Sequence, residues 1–444
     1  MLPLGTECSG SGQNVSARRM LSALAIAGIL VAVFVGFNIG GSSTGVAFGP
    51  AVGSRLVRKA TAAGLFTLFA FVGAWTVGRN VIDTMSSSIV PASQFTPLAS
   101  VGVLLFTGVS LLVSNIYGVP ASTSMTAVGG IVGLGLATGT LDEALMFTIV
   151  SAWVVAPLVG LASGALIGRY LYPHLDRYFA FTRLERHLIQ VDRSGTVPRP
   201  RFNRNASLRD LAGSLTVVVI ACYMGFSAGA SNAANAVAPL VGAQGPLSVD
   251  QGVTLAVVAF GLGGFTIARR TLDTVGDDIT ELPILAALVV SVVGGTIITV
   301  LSYFGIPASL AVSTTCCIIG LGWGRASRPA SLVDLATPEL ASTTPARERP
   351  HVELTTGALA ASPTEEAEGP HSPTVGELAA GKESSPAVAD GGEARVPHVG
   401  EEDPDHIPHE SLFDPTAAGR IVFMWVFTPT VAVVCSYGLF SLVL

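Results

Sequence analysis

Long apolar runs separated by short polar connections make up most of this chain. They cover about residues 20–40, 60–78, 98–117, 119–138 and 143–172, and then about 210–230, 251–268, 283–304, 306–324 and 419–443. Runs of this length with so few charges suit helices in hydrocarbon. The pattern predicts an all-α polytopic membrane protein with about 10–12 transmembrane segments, some of them broken or re-entrant.

The polar stretches divide the chain further. Residues 1–19 form a polar N-terminal tail, 20–172 a first transmembrane repeat, and 173–208 an Arg-rich cytoplasmic loop. Residues 209–328 form a second repeat, 329–417 an acidic insert, and 418–444 its final transmembrane helix. The insert holds 17 Asp+Glu against 4 Lys+Arg, so the overall charge of −6 belongs to it and the rest of the chain is net positive. Its Pro/Ser/Glu-rich composition predicts a disordered cytoplasmic segment. The Arg-rich loop, placed in the cytoplasm by the positive-inside rule, puts the N-terminus outside; Arg18, Arg19 and Arg79 fall on the opposite side from the rule.

An internal repeat organises the apolar runs. Gly36–Gly53 aligns without gaps to Gly225–Gly242, with eight of 18 positions identical. Thr76–Ile89 aligns to Thr266–Ile279, Gly118–Ser122 to Gly305–Ser309, and Trp153 and Pro157 to Trp425 and Pro429. Five runs per half is an odd number, so the halves enter the membrane in opposite senses. Inverted repeats of this kind belong to secondary transporters, whose sites lie near the midplane.

Two polar interruptions recur in each half. The first is Gly40-Gly41-Ser42-Ser43 and its counterpart Gly229 to Asn235, each followed by a proline, Pro50 or Pro239. The second is Pro120-Ala121-Ser122-Thr123-Ser124 and its counterpart Pro307-Ala308-Ser309 with Ser313-Thr314-Thr315. Gly and Pro are expected to break the helices there, leaving amides and hydroxyls to face a wet cavity. A helix N-terminus in such a cavity favours an anion. Hydroxyls in several directions suit a tetrahedral oxyanion, and hydroxyl oxygens also coordinate sodium. The substrate-binding candidates are Ser42, Ser43, Ser122, Thr123, Ser124, Ser231, Asn232, Asn235, Ser313, Thr314 and Thr315. Asp83, Asp273 and Glu281 are coupling or gating candidates. Asp83 and Asp273 each follow a repeat-related arginine, Arg79 or Arg269, by four residues, the spacing of a helical ion pair.

These paired motifs resemble the inorganic phosphate transporter (PiT) family of sodium- or proton-coupled symporters. That family carries G-x-N-D-x-A-N in each half and G-x-P-x-S-T-T-H downstream. Gly229-Ala230-Ser231-Asn232-Ala233-Ala234-Asn235 matches the first motif. Gly118 to Ser124 and Ser313-Thr314-Thr315 match the second, Thr280-Glu281-Leu282 the acidic segment, and Trp425 to Pro429 the last helix. The resemblance implies a non-enzymatic symporter of inorganic phosphate working by alternating access in the plasma membrane. It implies no cofactor beyond a coupling sodium or proton, with sodium held near Ser43, Asn232 and Asn235. Homodimerisation is a further expectation, and nothing points to nucleic acid. A permease for sulfate or another oxyanion is the alternative, and a passive anion channel is the less favoured reading.

The sequence departs from that pattern where charge matters. The family's aspartate is Ser43 in one half and Asn232 in the other. Its first asparagine is Ser42 and Ser231, its last is Val46 in the first half, and its histidine is Met125 and Cys316. Losing both aspartates removes negative charge from the midplane. That weakens cation binding or favours a more negative substrate. The five cysteines form neither a disulfide framework nor a zinc spacing.

Overall fold

The computed structural model describes residues 10–54, 56–116, 122–178, 189–192, 199–202, 208–242, 245–266, 268, 284–328 and 415–443. Residues 329–414 of the insert, Asp273 and Glu281 lie outside the described residues, and 415–417, expected in the insert, begin the last helix. The first half comprises α1 (Gly10–Gly53), α2 (Lys59–Thr76), α3 (Gly78–Asp83), α4 (Pro97–Ile116), α5 (Thr123–Thr138) and α6 (Glu143–Leu166). A π-helical turn, Ile167–Leu171, carries α6 into α7 (Tyr172–Tyr178). The second half comprises α8 (Leu208–Val241), α9 (Val249–Thr266), α10 (Ile284–Tyr303), α11 (Leu310–Ala326) and α12 (Pro415–Val443). Between the halves, within the stretch expected to be a loop, β1 (Ile189–Asp192) pairs antiparallel with β2 (Arg199–Phe202).

Among the described residues seven helices are long and apolar enough to span a bilayer. The α2–α3 pair, bent by 63° and continued by the π-turn Thr84–Ser88, makes an eighth. The remaining two apolar helices, α5 and α11, have 16 and 17 residues. At 1.5 Å per residue they reach only about 24–26 Å, short of the ~30 Å hydrocarbon core. They are therefore half-helices that begin inside the protein.

The repeat is visible in the packing, and glycine makes it so. A Cβ at Gly40 of α1 would lie 2.2 Å from the Phe260 carbonyl oxygen of α9, and one at Gly263 2.1 Å from that of Phe37. The repeat-related crossing of α2 and α8 has Gly229 at 2.1 Å from the Ala70 oxygen and Gly73 at 2.0 Å from that of Phe226. Each half thus lays its second helix against the first helix of the other. The half-helices follow the same rule: Gly320 of α11 meets the Leu161 oxygen of α6, and Gly133 of α5 meets the Val433 oxygen of α12. Backbones approach this closely in membranes only at small residues.

This packing corrects one expectation. The Gly40–Ser43 and Gly229–Asn235 stretches do not break their helices: α1 and α8 run unbroken through them, with Pro50 and Pro239 in their last turns. The glycines serve the helix crossings, and the hydroxyls return to the backbone. Ser42 donates to the Asn38 and Ile39 carbonyls and Thr44 to that of Gly40. Among the described residues the new starts come instead at Ser122 and Ser309, which stand immediately ahead of α5 and α11.

The expected Arg79–Asp83 pair also gives way to a longer-range contact. Arg79 lies over the Trp75 ring at 4.3 Å and its Nη2 reaches Asp250 at the start of α9, 2.6 Å away. Asp83 is exposed, beyond the bend, and its carbonyl accepts from Ser86 and Ser87.

Candidate functional site

Ser122 caps α5 by accepting from the Met125 amide at 3.3 Å, and Ser309 caps α11 by accepting from Val312 at 3.4 Å. Each cap satisfies the third amide of its helix. The first two, on Thr123 and Ser124 and on Leu310 and Ala311, have no carbonyl one turn back to bond. Both half-helices therefore present free amides and a positive dipole end. Trp153 of α6 anchors the second break, its Nε1 donating to the Pro307 carbonyl at 2.7 Å.

Both tips border one cavity of about 60 Å³, lined by Asn38, Ile39, Ser42, Ser43, Val46, Leu111, Thr123, Asn232, Ser309, Leu310 and Ala311. At ~10–15 Å³ per water position it accommodates roughly four to six waters, the scale of one tetrahedral oxyanion. α1 supplies one wall, α4 supplies Leu111, α8 supplies Asn232, and the tips of α5 and α11 supply the rest. None of the lining residues carries an ionisable side chain.

The hydrogen bonds sort this wall by role. Thr123 Oγ1 donates to Asn232 Oδ1 at 2.8 Å, which leaves the Asn232 NH2 free to donate. Asn235 Nδ2 has Thr123 Oγ1, Ser124 Oγ and Asn232 Oδ1 within 3.1–3.3 Å. Asn235 Oδ1 is buried with no partner. Ser124 and Ser231 both donate to the Ala308 carbonyl, at 2.9 and 2.8 Å. Behind the cavity, then, oxygens from both halves gather around Asn235. In front, the Ser43 and Ser309 hydroxyls, the Asn232 NH2 and the tip amides remain as neutral donors.

Of the candidates read from sequence, Ser42, Ser43, Thr123 and Asn232 line the cavity, and Ser124, Ser231 and Asn235 lie directly behind it. Ser122 is a cap. Ser313, Thr314 and Thr315 stand away from the lining. α5 and α11 align from their caps without a gap, so Thr123 corresponds to Leu310 and the Ser-Thr-Thr run begins a turn further along α11. Thr314 donates back to the Leu310 and Ala311 carbonyls. The sequence reading missed Asn38 and Ser309. Asn38 had a signal, a polar residue aligned with Ser227 in otherwise apolar surroundings; Ser309 was visible as the last residue of the repeated Gly-x-Pro-Ala-Ser.

A helical membrane protein of two interlocked repeats, with a small polar cavity between two half-helix tips, has the build of a secondary transporter. The sequence matches the Phosphate transporter family (PHO4) over residues 39–436, and the chain belongs to that family. It is a membrane transporter and not an enzyme. It is 32% identical over 301 residues to the sulfate permease CysP of Bacillus subtilis, covering 68% of this chain and 77% of that one. It is 25% identical to a putative phosphate permease of Chlamydia pneumoniae, covering 68% and 90%. It is 24% identical to the chloroplastic inorganic phosphate transporter 2-1 of Arabidopsis thaliana, covering 71% and 68%. Among solved structures it shares the fold of a sodium-dependent phosphate transporter, with a TM-score of 0.52 and 21% identity, covering 71% of this chain and 93% of that one.

Proposed function

We propose that the protein is a sodium-coupled symporter of a tetrahedral inorganic oxyanion that favours sulfate over phosphate. The observation that carries this reading is a cavity at two helix N-termini whose lining is uncharged. Phosphate at neutral pH keeps at least one proton, and a site built for it gains from a carboxylate that accepts that proton. Sulfate brings no proton and needs donors alone. This wall offers hydroxyls, one free amide NH2 and backbone amides, with Ser43 and Asn232 at the positions where the family's motif carries aspartate. The likeness to the sulfate permease agrees with that chemistry.

A dianion in a neutral cavity carries a large desolvation cost, which a co-bound cation offsets. The oxygens around Asn235 supply such a place, and the unpartnered Asn235 Oδ1 supports it. The uncharged lining offers no group that takes up a proton, which favours sodium over proton coupling. Alternating access across the plasma membrane completes the reading.

Uptake of radiolabelled sulfate into proteoliposomes, with and without a sodium gradient and with phosphate as competitor, tests it. Sodium-driven sulfate uptake that equimolar phosphate barely inhibits is the expected result. Phosphate uptake equal to or faster than sulfate uptake defeats the preference for sulfate and restores the phosphate reading, which the family match and the phosphate permeases favour.

A further inference from the structure

Three arginines meet at the shared end of α6 and α11, far from the transport cavity in sequence and use. The two helices are in backbone contact here: a Cβ at Gly168 would lie 2.4 Å from the Leu321 oxygen, and one at Gly324 2.1 Å from that of Ala165. That contact brings Arg169, in the π-helical turn, beside Arg325 and Arg328. Arg169 donates to the Ser327 carbonyl, and Arg328 donates back to the Arg169 carbonyl. Both are almost fully buried, at 5% and 4% exposure. Arg325 lies over the Tyr172 ring at 4.6 Å, half-buried, and its Nη1 is enclosed with no hydrogen-bond partner.

The cluster sits at headgroup depth. Arg169 is 26 residues beyond Glu143, the exposed start of α6. That is about 39 Å of helix, against a ~30 Å hydrocarbon core and ~40–45 Å with headgroups. Beside the arginines, Leu166, Tyr170, Leu171 and Trp323 are exposed, an apolar and aromatic flank of the kind that faces lipid at the interface. The Arg-rich stretch after Pro173 continues from this end, and by the positive-inside bias it marks the leaflet as cytoplasmic. Anionic lipid on that side is drawn to such charge.

We propose that the Arg169–Arg325–Arg328 cluster binds the phosphodiester headgroup of an anionic lipid. Arg325, half-buried where Arg169 and Arg328 are buried, supplies the guanidinium that meets the phosphate oxygens. Arg169 and Arg328 hold the two helix ends in place and add charge. Tyr170 and Trp323 flank the lipid. The site is separate from the cavity and independent of which oxyanion is carried.

The test is thermal unfolding of the purified full-length protein in detergent, titrated with phosphatidylglycerol, phosphatidylcholine or inorganic phosphate. Phosphatidylglycerol raises Tm, and phosphatidylcholine does not. Arg325→Gln needs about tenfold more phosphatidylglycerol for the same rise, the loss expected for a hydrogen bond to a charged group. An unchanged response in Arg325→Gln overturns the proposal. So does an Arg325-dependent rise that inorganic phosphate reproduces, since the occupant is then a free anion. Where Arg325→Gln is not recovered folded, native mass spectrometry of the parent from mixed micelles decides: retained phosphatidylglycerol in excess over phosphatidylcholine supports the proposal, and equal retention overturns it.

Discussion

Each half of this transporter contains two stretches of small and polar residues, and they do opposite things. Gly40–Ser43 and Gly229–Asn235 stay helical. Ser122 and Ser309, each two residues after a motif proline, are the caps of new helices. Composition alone does not separate them. In the first kind, glycine removes a Cβ where another helix's carbonyl lies about 2 Å from it. In the second, proline cannot continue a helix, and the serine two residues later satisfies an amide of the next one. A glycine in a membrane helix thus marks a crossing as readily as a break.

The two breaks differ in turn from each other. The α5 tip carries Thr123 and Ser124, whose hydroxyls join the Asn232–Asn235 network. The α11 tip carries Leu310 and Ala311, so beyond its cap it offers the cavity backbone amides and apolar surface. The same helix end, used twice, presents backbone amides to the cavity. Side chains add a cation-friendly oxygen cluster on one side only.

Breaking a crossing has the largest expected effect. Gly229→Val places a Cβ 2.1 Å from the Ala70 carbonyl, backbone that cannot swing aside, and folded protein should be lost on size-exclusion chromatography. Gly438→Ala, with nothing within 4 Å, should elute as the parent does. Next comes Asn232→Asp, which sets a carboxylate against the anion. Sulfate uptake should fall by about tenfold or more, and phosphate should gain in competition assays. Unchanged selectivity would sink the argument from the uncharged lining.

Thr123→Val tests the polar tip. It removes one of the two donors to Asn232 Oδ1 inside a buried network, and apparent affinity for oxyanion or sodium should weaken about tenfold. Parent-like affinity for both would make Thr123 helix glue. The smallest effect belongs to Thr314→Val. Its hydroxyl bonds its own helix, so uptake should stay within about twofold of the parent. A larger loss would return the Ser-Thr-Thr run to the site.

Part of the cavity lining was legible in the sequence. The repeat located Ser43, Thr123 and Asn232 because polar residues recurring in matched apolar settings have a shared reason to be there. Asn38 and Ser309 were passed over because a single polar residue beside a helix carries little signal alone. The Ser-Thr-Thr run lies a turn beyond the Ser309 cap and off the cavity lining, a placement that three hydroxyls in a row do not reveal in sequence.

The sequence by itself determined the membrane class, the succession of apolar helices and the twofold repeat. These follow from local hydropathy and from spacing along the chain, which any solvent of low polarity reads in the same way. Tertiary structure alone decided which glycines break a helix and which admit a neighbour. It also decided that Arg79 reaches Asp250 rather than Asp83, and that the α5 and α11 tips share one cavity. Each of these depends on what lies across the gap from a residue, and that partner comes from the opposite half of the chain, where no local pattern records the distance.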